Sequence, residues 1–166
     1  MAYPLRPLAL PLWRMIRPEW HGSPFSGEGA RLYGGRWNMK GWPALYLAAD
    51  HVTAVAEYYR GLPRPGTLVP YALDATRIAD LTRADDRVAQ ALVCDWKALA
   101  LIEGKVPASW QIAQELIAAG AQGALVPSTQ NRGGRNLVLW RWHDAADPEG
   151  EGAALTMLDP DAALRR

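Results

Sequence analysis

Three side chains with complementary chemistry follow one another closely along this chain. Arg36 belongs to the glycine-rich segment Gly34-Gly35-Arg36-Trp37-Asn38-Met39-Lys40-Gly41. Tyr46 follows in an apolar run, and Glu57 follows in a helical pattern. A guanidinium binds phosphate oxygens through paired donors, a phenol ring offers a flat apolar face, and a carboxylate accepts hydrogen bonds from hydroxyls. Together the three side chains suit a ligand that carries phosphates, a flat ring and a sugar.

Each of these side chains also has an ordinary structural interpretation. Arg36 can cap a backbone carbonyl or stack on Trp37, Tyr46 can fill the core from a strand, and Glu57 can be a solvated helical residue. Taken one at a time, these structural roles are the favoured interpretation.

The elements that carry Tyr46 and Glu57 are predicted by the local pattern. The apolar run Ala44 to Ala49 predicts a short strand. Asp50 is a good N-cap for a helix over His51 to Arg60. Glu57 lies in the last half of that helix, where the helix dipole slightly disfavours a carboxylate. This position therefore indicates a role other than helix stability.

An additional arginine lies on an earlier predicted strand. Leu12 to Ile16 has strand composition, and a period of two places Leu12, Arg14 and Ile16 on one face. Arg14 therefore points either inward or across a sheet surface that lines a cleft. The following stretch, His21 to Gly35, is rich in Gly, Ser and Pro and predicts a long loop. Loops of this length are often functional.

The remainder of the chain mixes strands and helices without regular βαβ alternation. This mixture predicts a single α/β domain over residues 1–166 with a central, split and mostly antiparallel sheet, a core of about 12–142 and a tail of 144–166. Pro70 places one strand at an edge or a bulge, and Ser109 is the expected N-cap of one helix. The predicted strands are Thr67–Leu73, Ala124–Pro127 and Asn136–Trp142, the helices are Asp85–Val93 and Ser109–Ala119, and the tail holds one apolar patch, Leu155–Leu158.

Composition excludes several classes of function. The formal net charge is +1, so no global field attracts nucleic acid or an anionic membrane. No apolar stretch is long enough to span a membrane, and the proline-broken start is a poor signal peptide. Cys94 is the single cysteine, which excludes an intrachain disulfide and fits a core position in a cytoplasmic protein.

Histidine and tryptophan usage argues against two further kinds of site. His21, His51 and His143 lie in unrelated contexts without paired spacing, so we expect no metal site. The 8 Trp residues suggest base stacking, but without a basic stripe they are better explained as core residues.

The chain resembles the RES domain family, which is named for its Arg, Glu and Ser. The resemblance spans roughly Leu12 to Trp142. The residues that carry it are the strand Leu12-Trp13-Arg14, the segment at 34–41, Tyr46, the helical Glu57, Pro127-Ser128 at a strand end, and Asn136-Leu137-Val138-Leu139.

The resemblance implies a fold, an activity and a partner. RES proteins are toxins of bacterial type II toxin–antitoxin pairs, with a fold similar to the diphtheria-toxin class of ADP-ribosyltransferases and with NAD as substrate. Members degrade NAD by hydrolysis or phosphorolysis, or transfer its ADP-ribose to a protein such as phosphoribosyl pyrophosphate synthetase. The partner is an Xre-like helix-turn-helix antitoxin that covers the active site.

By this resemblance, the expected catalytic residues are Glu57, Arg36, Tyr46 and Ser128, and Arg14, Arg36, Tyr46 and Asn136 are the expected NAD-binding residues. The arginines would bind phosphates, and Tyr46 would stack on the nicotinamide ring. Glu57 would stabilise positive charge on the ribose, and Ser128 would orient Glu57 or the ribose.

Two hypotheses of function remain. The first is an NAD-consuming enzyme, a transferase or NAD-degrading toxin restrained by an antitoxin. Its acceptor is a protein, water or phosphate, and the sequence does not choose among them. The second is a non-catalytic module of the same fold that binds a nucleotide or a protein. We expect no metal, no membrane and no direct nucleic-acid contact for either.

Overall fold

The computed structural model describes residues 3–165, which form seven strands and four α-helices. The strands are β1 Leu5–Ile16, β2 Leu45–Ala48, β3 Thr67–Asp80, β4 Gly123–Pro127, β5 Arg135–Leu139, β6 Trp142–Asp144 and β7 Ala153–Met157. The helices are α1 Glu28–Tyr33, α2 His51–Tyr59, α3 Asp86–Val93 and α4 Ala108–Ala118. Shorter segments are the 3-10 turns Pro18–Trp20 and Ala163–Arg165 and the π-helical Ala98–Ile102.

All seven strands belong to one sheet in the order β1-β2-β5-β4-β3-β7-β6, and an additional β1–β3 pairing closes five of them into a ring. The β3–β4 and β6–β7 pairings are parallel, and the others are antiparallel. The predicted mixed α/β domain with a mostly antiparallel sheet is confirmed. Within the described residues, no helix combines the length and the apolarity that crossing a membrane requires.

The strand β1 is longer than the sequence pattern predicts because prolines are accommodated within it. It pairs with β3 from Leu5 to Ile16, and the register shifts between Arg6 and Leu8, around Pro7. Opposite the shift, the backbone N–H groups of Thr76 and Arg77 donate to the side-chain oxygen of Gln122. The bulge therefore leaves these donors satisfied.

The strand β3 is likewise longer than predicted, and Pro70 lies within it without a bulge at that position. The expectation of an edge strand is wrong, because β3 pairs with β1, β4 and β7. The Pro70 carbonyl accepts from the N–H of Leu158, just past the end of β7. Pro70 therefore lies where the hydrogen bonds between β3 and β7 end. A proline, which has no N–H to donate, is tolerated at that position.

The sheet separates two apolar cores. One lies inside the ring, and its fully buried members include Leu12, Leu45, Leu137 and Leu155. The other lies between the outer face and the helices α3 and α4. Its buried members include Trp37, Val88, Ile112, Leu116, Val126, Val138 and Trp140.

The segment that the sequence analysis treats as a tail contributes to the first core. Residues 153–157 form β7, which pairs with β3, and both Ala153 and Leu155 are fully buried. The apolar patch Leu155–Leu158 therefore belongs mainly to a strand of the sheet. The sequence does not predict this strand, because the apolar run is short and follows acidic and glycine residues.

Two further expectations are corrected by the structure. The stretch His21 to Gly35 is not all loop, because it contains α1. Ser109 is not an N-cap: α4 begins at Ala108 after Pro107, and Ser109 lies buried inside the helix.

Candidate active site

The arginine of the glycine-rich segment projects from a tight turn. Gly35 and Asn38 bridge through reciprocal backbone hydrogen bonds, so Arg36 and Trp37 occupy the middle of the turn. Gly34 adopts a positive φ of 73°, which favours glycine. A Cβ on Gly35 would lie 2.6 Å from both the Asn38 Oδ1 atom and the Tyr46 hydroxyl. Both glycines are therefore needed for this turn.

Asn38 connects the turn to Tyr46. The Asn38 side chain is fully buried, and its amide nitrogen donates to the carbonyls of Ala30, Met39 and Trp42. Its Oδ1 atom accepts from the Tyr46 hydroxyl at 2.7 Å. That hydroxyl also accepts from the backbone N–H of the residue that precedes Asn38. Tyr46 is therefore fixed by both of its polar contacts, and burial raises its pKa.

The guanidinium of Arg36 caps the C-terminal end of α3. Its Nη1 atom donates to the carbonyls of Ala91, at 2.9 Å, and of Cys94, at 2.8 Å. A cation at a helix C-terminus interacts favourably with the helix dipole. Among the described residues, Nε and Nη2 of Arg36 have no hydrogen-bond partner. The side chain therefore performs the predicted carbonyl-capping role and still has donors available for a ligand.

The carboxylate of Glu57 is held by two neutral donors on a single oxygen. The Ser128 hydroxyl donates to Oε1 at 2.6 Å, and the Asn136 amide donates to the same oxygen at 2.7 Å. The other oxygen, Oε2, has no hydrogen-bond partner within residues 3–165. This carboxylate is thus oriented through one oxygen, and the partly exposed side chain has its other oxygen free of hydrogen bonds within the described residues.

Ser128 can direct its only proton to Glu57 because its acceptor capacity is used elsewhere. The Ser128 Oγ atom accepts from the backbone N–H groups of Gln130, at 3.2 Å, and Asn131, at 3.0 Å. A hydroxyl has one donor and two acceptor lone pairs. The proton of Ser128 is therefore directed to the carboxylate.

Sheet register places several of these groups on one face. Tyr46 pairs with Val138, and Ala48 pairs with Asn136. Side chains alternate along a strand, so Tyr46 and Asn136 project from the same face of the neighbouring strands β2 and β5. Arg36 is the chain neighbour of Trp37, whose backbone N–H donates to the Tyr46 hydroxyl, so Arg36 lies near Tyr46. The structure thus brings Glu57, Ser128 and Asn136 into contact and places Arg36 beside Tyr46 on the same side.

The structure does not bring Arg14 to this group. Trp13 pairs with Ala48 in register, so Trp13 shares the face of Tyr46 and Asn136, and Arg14 projects from the opposite face. There its guanidinium donates to the carbonyls of Pro24 and Ser26, at 3.3 and 3.4 Å. Burial lowers the pKa of Arg14. Of the two orientations open from the sequence, the inward one is observed.

Three polar residues near the site have roles that sequence reasoning did not assign. Asn38 was recognised only as part of the glycine-rich segment, although it fixes Tyr46. Thr53 and Asn131 hydrogen-bond each other at 2.9 Å beside Ser128. The available signal for Thr53 was its place three residues after the N-cap Asp50, whose carboxylate accepts from the Thr53 backbone N–H.

The three histidines are dispersed. His21 hydrogen-bonds Thr67, His51 makes an edge contact with Trp13, and His143 lies beside the carbonyl of Glu151. In the part of the chain that the structure describes, no three His, Cys, Asp or Glu side chains group as metal ligands.

Comparison with known proteins gives the family. The RES domain model matches residues 11–158. A protein named Toxin Res from Yersinia enterocolitica is 30% identical over 129 residues, 77% of this chain and 82% of the relative. A second Toxin Res, from Photorhabdus laumondii, is 36% identical over 87 residues, which cover 52% of this chain and 55% of that relative.

A solved structure shares the fold. The M. tuberculosis MbcT-MbcA toxin–antitoxin complex contains a chain that superposes with a TM-score of 0.59 at 21% identity, over 96% of this chain and 89% of that chain. At this identity the similarity supports the fold alone. The match over most of the chain and the Yersinia relative together show that the chain belongs to the RES domain family.

Proposed function

We propose that this chain is the toxin of a bacterial toxin–antitoxin pair, and that it cleaves NAD at the nicotinamide–ribose bond and passes ADP-ribose to an acceptor. Family membership and the two relatives named Toxin Res support the toxin assignment. The observation that carries the chemistry is the Glu57 carboxylate, with Oε1 fixed by Ser128 and Asn136 and with Oε2 open.

The carboxylate suits the transition state of this reaction. When the glycosidic bond breaks, nicotinamide leaves with the bonding electrons, and positive charge develops on the ribose. A carboxylate held in place before the reaction stabilises that charge without reorganising. The acceptor then forms a bond to the ribose carbon and loses its proton. Water, phosphate or a side chain of a protein such as phosphoribosyl pyrophosphate synthetase can serve as that acceptor.

Arg36 and Tyr46 supply the binding groups in this proposal. The Nε and Nη2 donors of Arg36 would bind the pyrophosphate, while Nη1 remains on the carbonyls at the end of α3. The ring of Tyr46 would lie against the nicotinamide. Asn136 would act by orienting Glu57. Arg14 projects from the other face and has no part in this assignment.

The proposed partner is a small Xre-like antitoxin that covers the site. The similar M. tuberculosis toxin was solved together with an antitoxin. In this chain, Leu32 and Tyr33 at the end of α1 are 43% and 73% exposed, immediately before the segment that carries Arg36. Neighbouring exposed side chains of this kind can contribute to a protein interface. An antitoxin bound there would block access to Arg36.

Nicotinamide release tests the enzymatic proposal. The purified protein is incubated with NAD, free nicotinamide is followed by chromatography, and the products are identified by mass spectrometry. Free ADP-ribose identifies water as acceptor, its phosphate ester identifies phosphate, and ADP-ribosylated lysate proteins identify a protein target. A protein that binds NAD without releasing nicotinamide would instead be the non-catalytic module.

Co-expression tests the partner. The chain alone should arrest growth, and co-expression with the neighbouring open reading frame should restore growth. The purified pair should not consume NAD. A tight complex that cleaves NAD at the full rate would show that inhibition does not act by covering this site.

A further inference from the structure

A line of hydrogen bonds connects the start of α2 to the loop that carries Ser128. The Thr53 hydroxyl donates to the Asp50 carboxylate at 2.9 Å and accepts from the side-chain amide of Asn131 at 2.9 Å. Thr53 is fully buried. The loop closes tightly over it, since a Cβ on Gly134 would lie 2.4 Å from the Thr53 hydroxyl oxygen. Thr53 thus joins the helix to the loop.

The same loop determines where the Ser128 hydroxyl lies. The backbone N–H of Asn131 donates to Ser128 Oγ, so the Asn131 side chain and backbone together connect Thr53 to Ser128. Ser128 in turn donates its proton to Glu57. Glu57 lies four residues after Thr53 on α2, about one helical turn away. The network therefore begins at Thr53 on α2 and ends at the Glu57 carboxylate on the same helix.

We propose that Thr53 and Asn131 are positioning residues, which act through Ser128 to hold the Glu57 carboxylate in its reactive orientation. This inference rests on the proposed cleavage of NAD. Neither side chain contacts the open oxygen of Glu57, so neither is a catalytic residue. Arg36 and Tyr46 are positioned by other contacts, made with α3 and with Asn38. Loss of the network should therefore affect the chemical step more than NAD binding.

Paired substitutions separate positioning from simple loss of structure. Thr53→Val keeps the buried volume and removes the hydroxyl, whereas Thr53→Ser keeps the hydroxyl. The backbone N–H of Thr53 remains capped by Asp50 in both variants. Asn131→Ala breaks the network from the loop, where the residue is only partly buried. Thr129→Ala, at an exposed position in the same loop, is the matched control.

The kinetic readout is the split between kcat and KM for nicotinamide release, expressed per folded molecule after urea unfolding of each variant. We expect Thr53→Val and Asn131→Ala to lower kcat roughly ten- to hundredfold, with KM within about twofold of the parent. Thr53→Ser and Thr129→Ala should retain kcat. The double variant Thr53→Val with Asn131→Ala should be no worse than either single one, because both break one network.

A second readout does not depend on catalysis. The carbon-13 shift of the Glu57 carboxyl group should move in Thr53→Val and Asn131→Ala, and it should stay in place in Thr53→Ser and Thr129→Ala. An unchanged carboxyl shift in the first two variants, or unchanged kcat in an active protein, would overturn the inference. A parent protein that releases no nicotinamide would refute the proposed function, and the carboxyl shift would still decide whether the network holds Glu57.

Discussion

The Glu57 carboxylate is oriented by neutral groups, and among the described residues no cation pairs with it. Both donors on its Oε1 atom, the Ser128 hydroxyl and the Asn136 amide, are uncharged. Within the described ranges, its carboxylate forms no ion pair with Lys, Arg or His. A Lys or Arg side chain paired with the Glu57 carboxylate would offset the field that the carboxylate exerts on a sugar. The arrangement therefore keeps the negative charge available for a positive centre in the ligand.

Arg36 needs the geometry of a guanidinium because it serves two purposes at once. Arg36→Lys keeps the charge but cannot cap two carbonyls and also present paired donors to a pyrophosphate. We expect the dissociation constant for NAD, measured by calorimetry, to rise about ten- to hundredfold, the equivalent of one lost charge-assisted hydrogen bond. Arg87→Lys, in an exposed pair with Glu115, should bind NAD as the parent does. Equal affinity of Arg36→Lys and the parent would contradict the assigned role.

At the scale of elements, the turn before β2 and the cap of α2 determine where the site residues lie. The turn is closed by the Gly35–Asn38 bridge and by the Tyr46 hydroxyl. The helix begins at its N-cap Asp50, which accepts from the backbone N–H of Thr53 at 2.7 Å. The turn and the helix cap both depend on contacts between residues that lie close together in the chain. A single substitution in either one should therefore lower the free energy of unfolding.

Gly35→Ala tests the close approach in the turn. The new methyl group would collide with Asn38 Oδ1 and the Tyr46 hydroxyl, so we expect a loss of about 1–3 kcal/mol in the free energy of unfolding by urea. Gly22→Ala is the control, since a Cβ on Gly22 meets nothing within 4 Å. Equal stability of the two variants would show that the turn can relax around the methyl group.

Asp50→Ala tests the helix cap. Removal of the capping carboxylate should cost about 1 kcal/mol of unfolding free energy, with an additional loss because the Thr53 hydroxyl loses its acceptor. Asp50→Asn retains an acceptor for the backbone N–H and should lose much less. If Asp50→Ala unfolds at the parental urea concentration, the cap does not determine the stability of α2.

The sequence was most informative where structure depends on neighbours in the chain. The N-cap at Asp50 was predicted correctly, and it depends on a hydrogen bond to a residue three positions along the chain. The strand of Tyr46 was also predicted closely, from its short apolar run. The lengths of β1 and β3, with Pro7 and Pro70 inside them, depend on pairing partners far along the chain. Local propensity argues against a proline in a strand. It cannot show that the side chain of Gln122, far along the chain, accepts from the backbone N–H groups of Thr76 and Arg77 at the bulge.

The same limit applies to the site. The residue types Arg, Tyr and Glu were recognised from the sequence, and the contacts of Glu57 with Ser128 and Asn136 bring together residues that lie far apart in the chain. The sequence could not decide the orientation of Arg14, because that depends on which face of β1 meets the interior of the ring. Asn131 was not recognised because a loop asparagine has no distinguishing local pattern.

At the scale of the whole molecule, closure of the sheet makes the site dependent on the global fold. The β1–β3 pairing completes the ring, and β7, in the C-terminal segment, adds Leu155 to its interior. Tyrosines lie on both faces: Tyr71 is fully buried in the ring core, and Tyr46, which is partly buried, lies on the outer face. Burial raises the pKa of both phenols.

These raised pKa values predict a loss of stability in alkali. Below pH about 10 both phenols are protonated in the folded and unfolded states, so their contribution is fully present. As the pH rises further, the unfolded chain ionises first, and the free energy of unfolding falls. Tyr46→Phe should reduce that slope by up to about 1.4 kcal/mol per pH unit, measured by urea unfolding between roughly pH 9 and 11. An identical slope in the variant and the parent would show that Tyr46 ionises equally in both states.

The most direct measurement of the central claim is nicotinamide release by Glu57→Gln, with NAD binding measured in parallel. Glutamine keeps the shape and an oxygen that can accept from Ser128 and Asn136, but it removes the negative charge. We predict that NAD binding changes little and that nicotinamide release falls by at least about two orders of magnitude, because the carboxylate acts on charge that develops only in the transition state. Release of nicotinamide by Glu57→Gln at the parental rate would contradict the account.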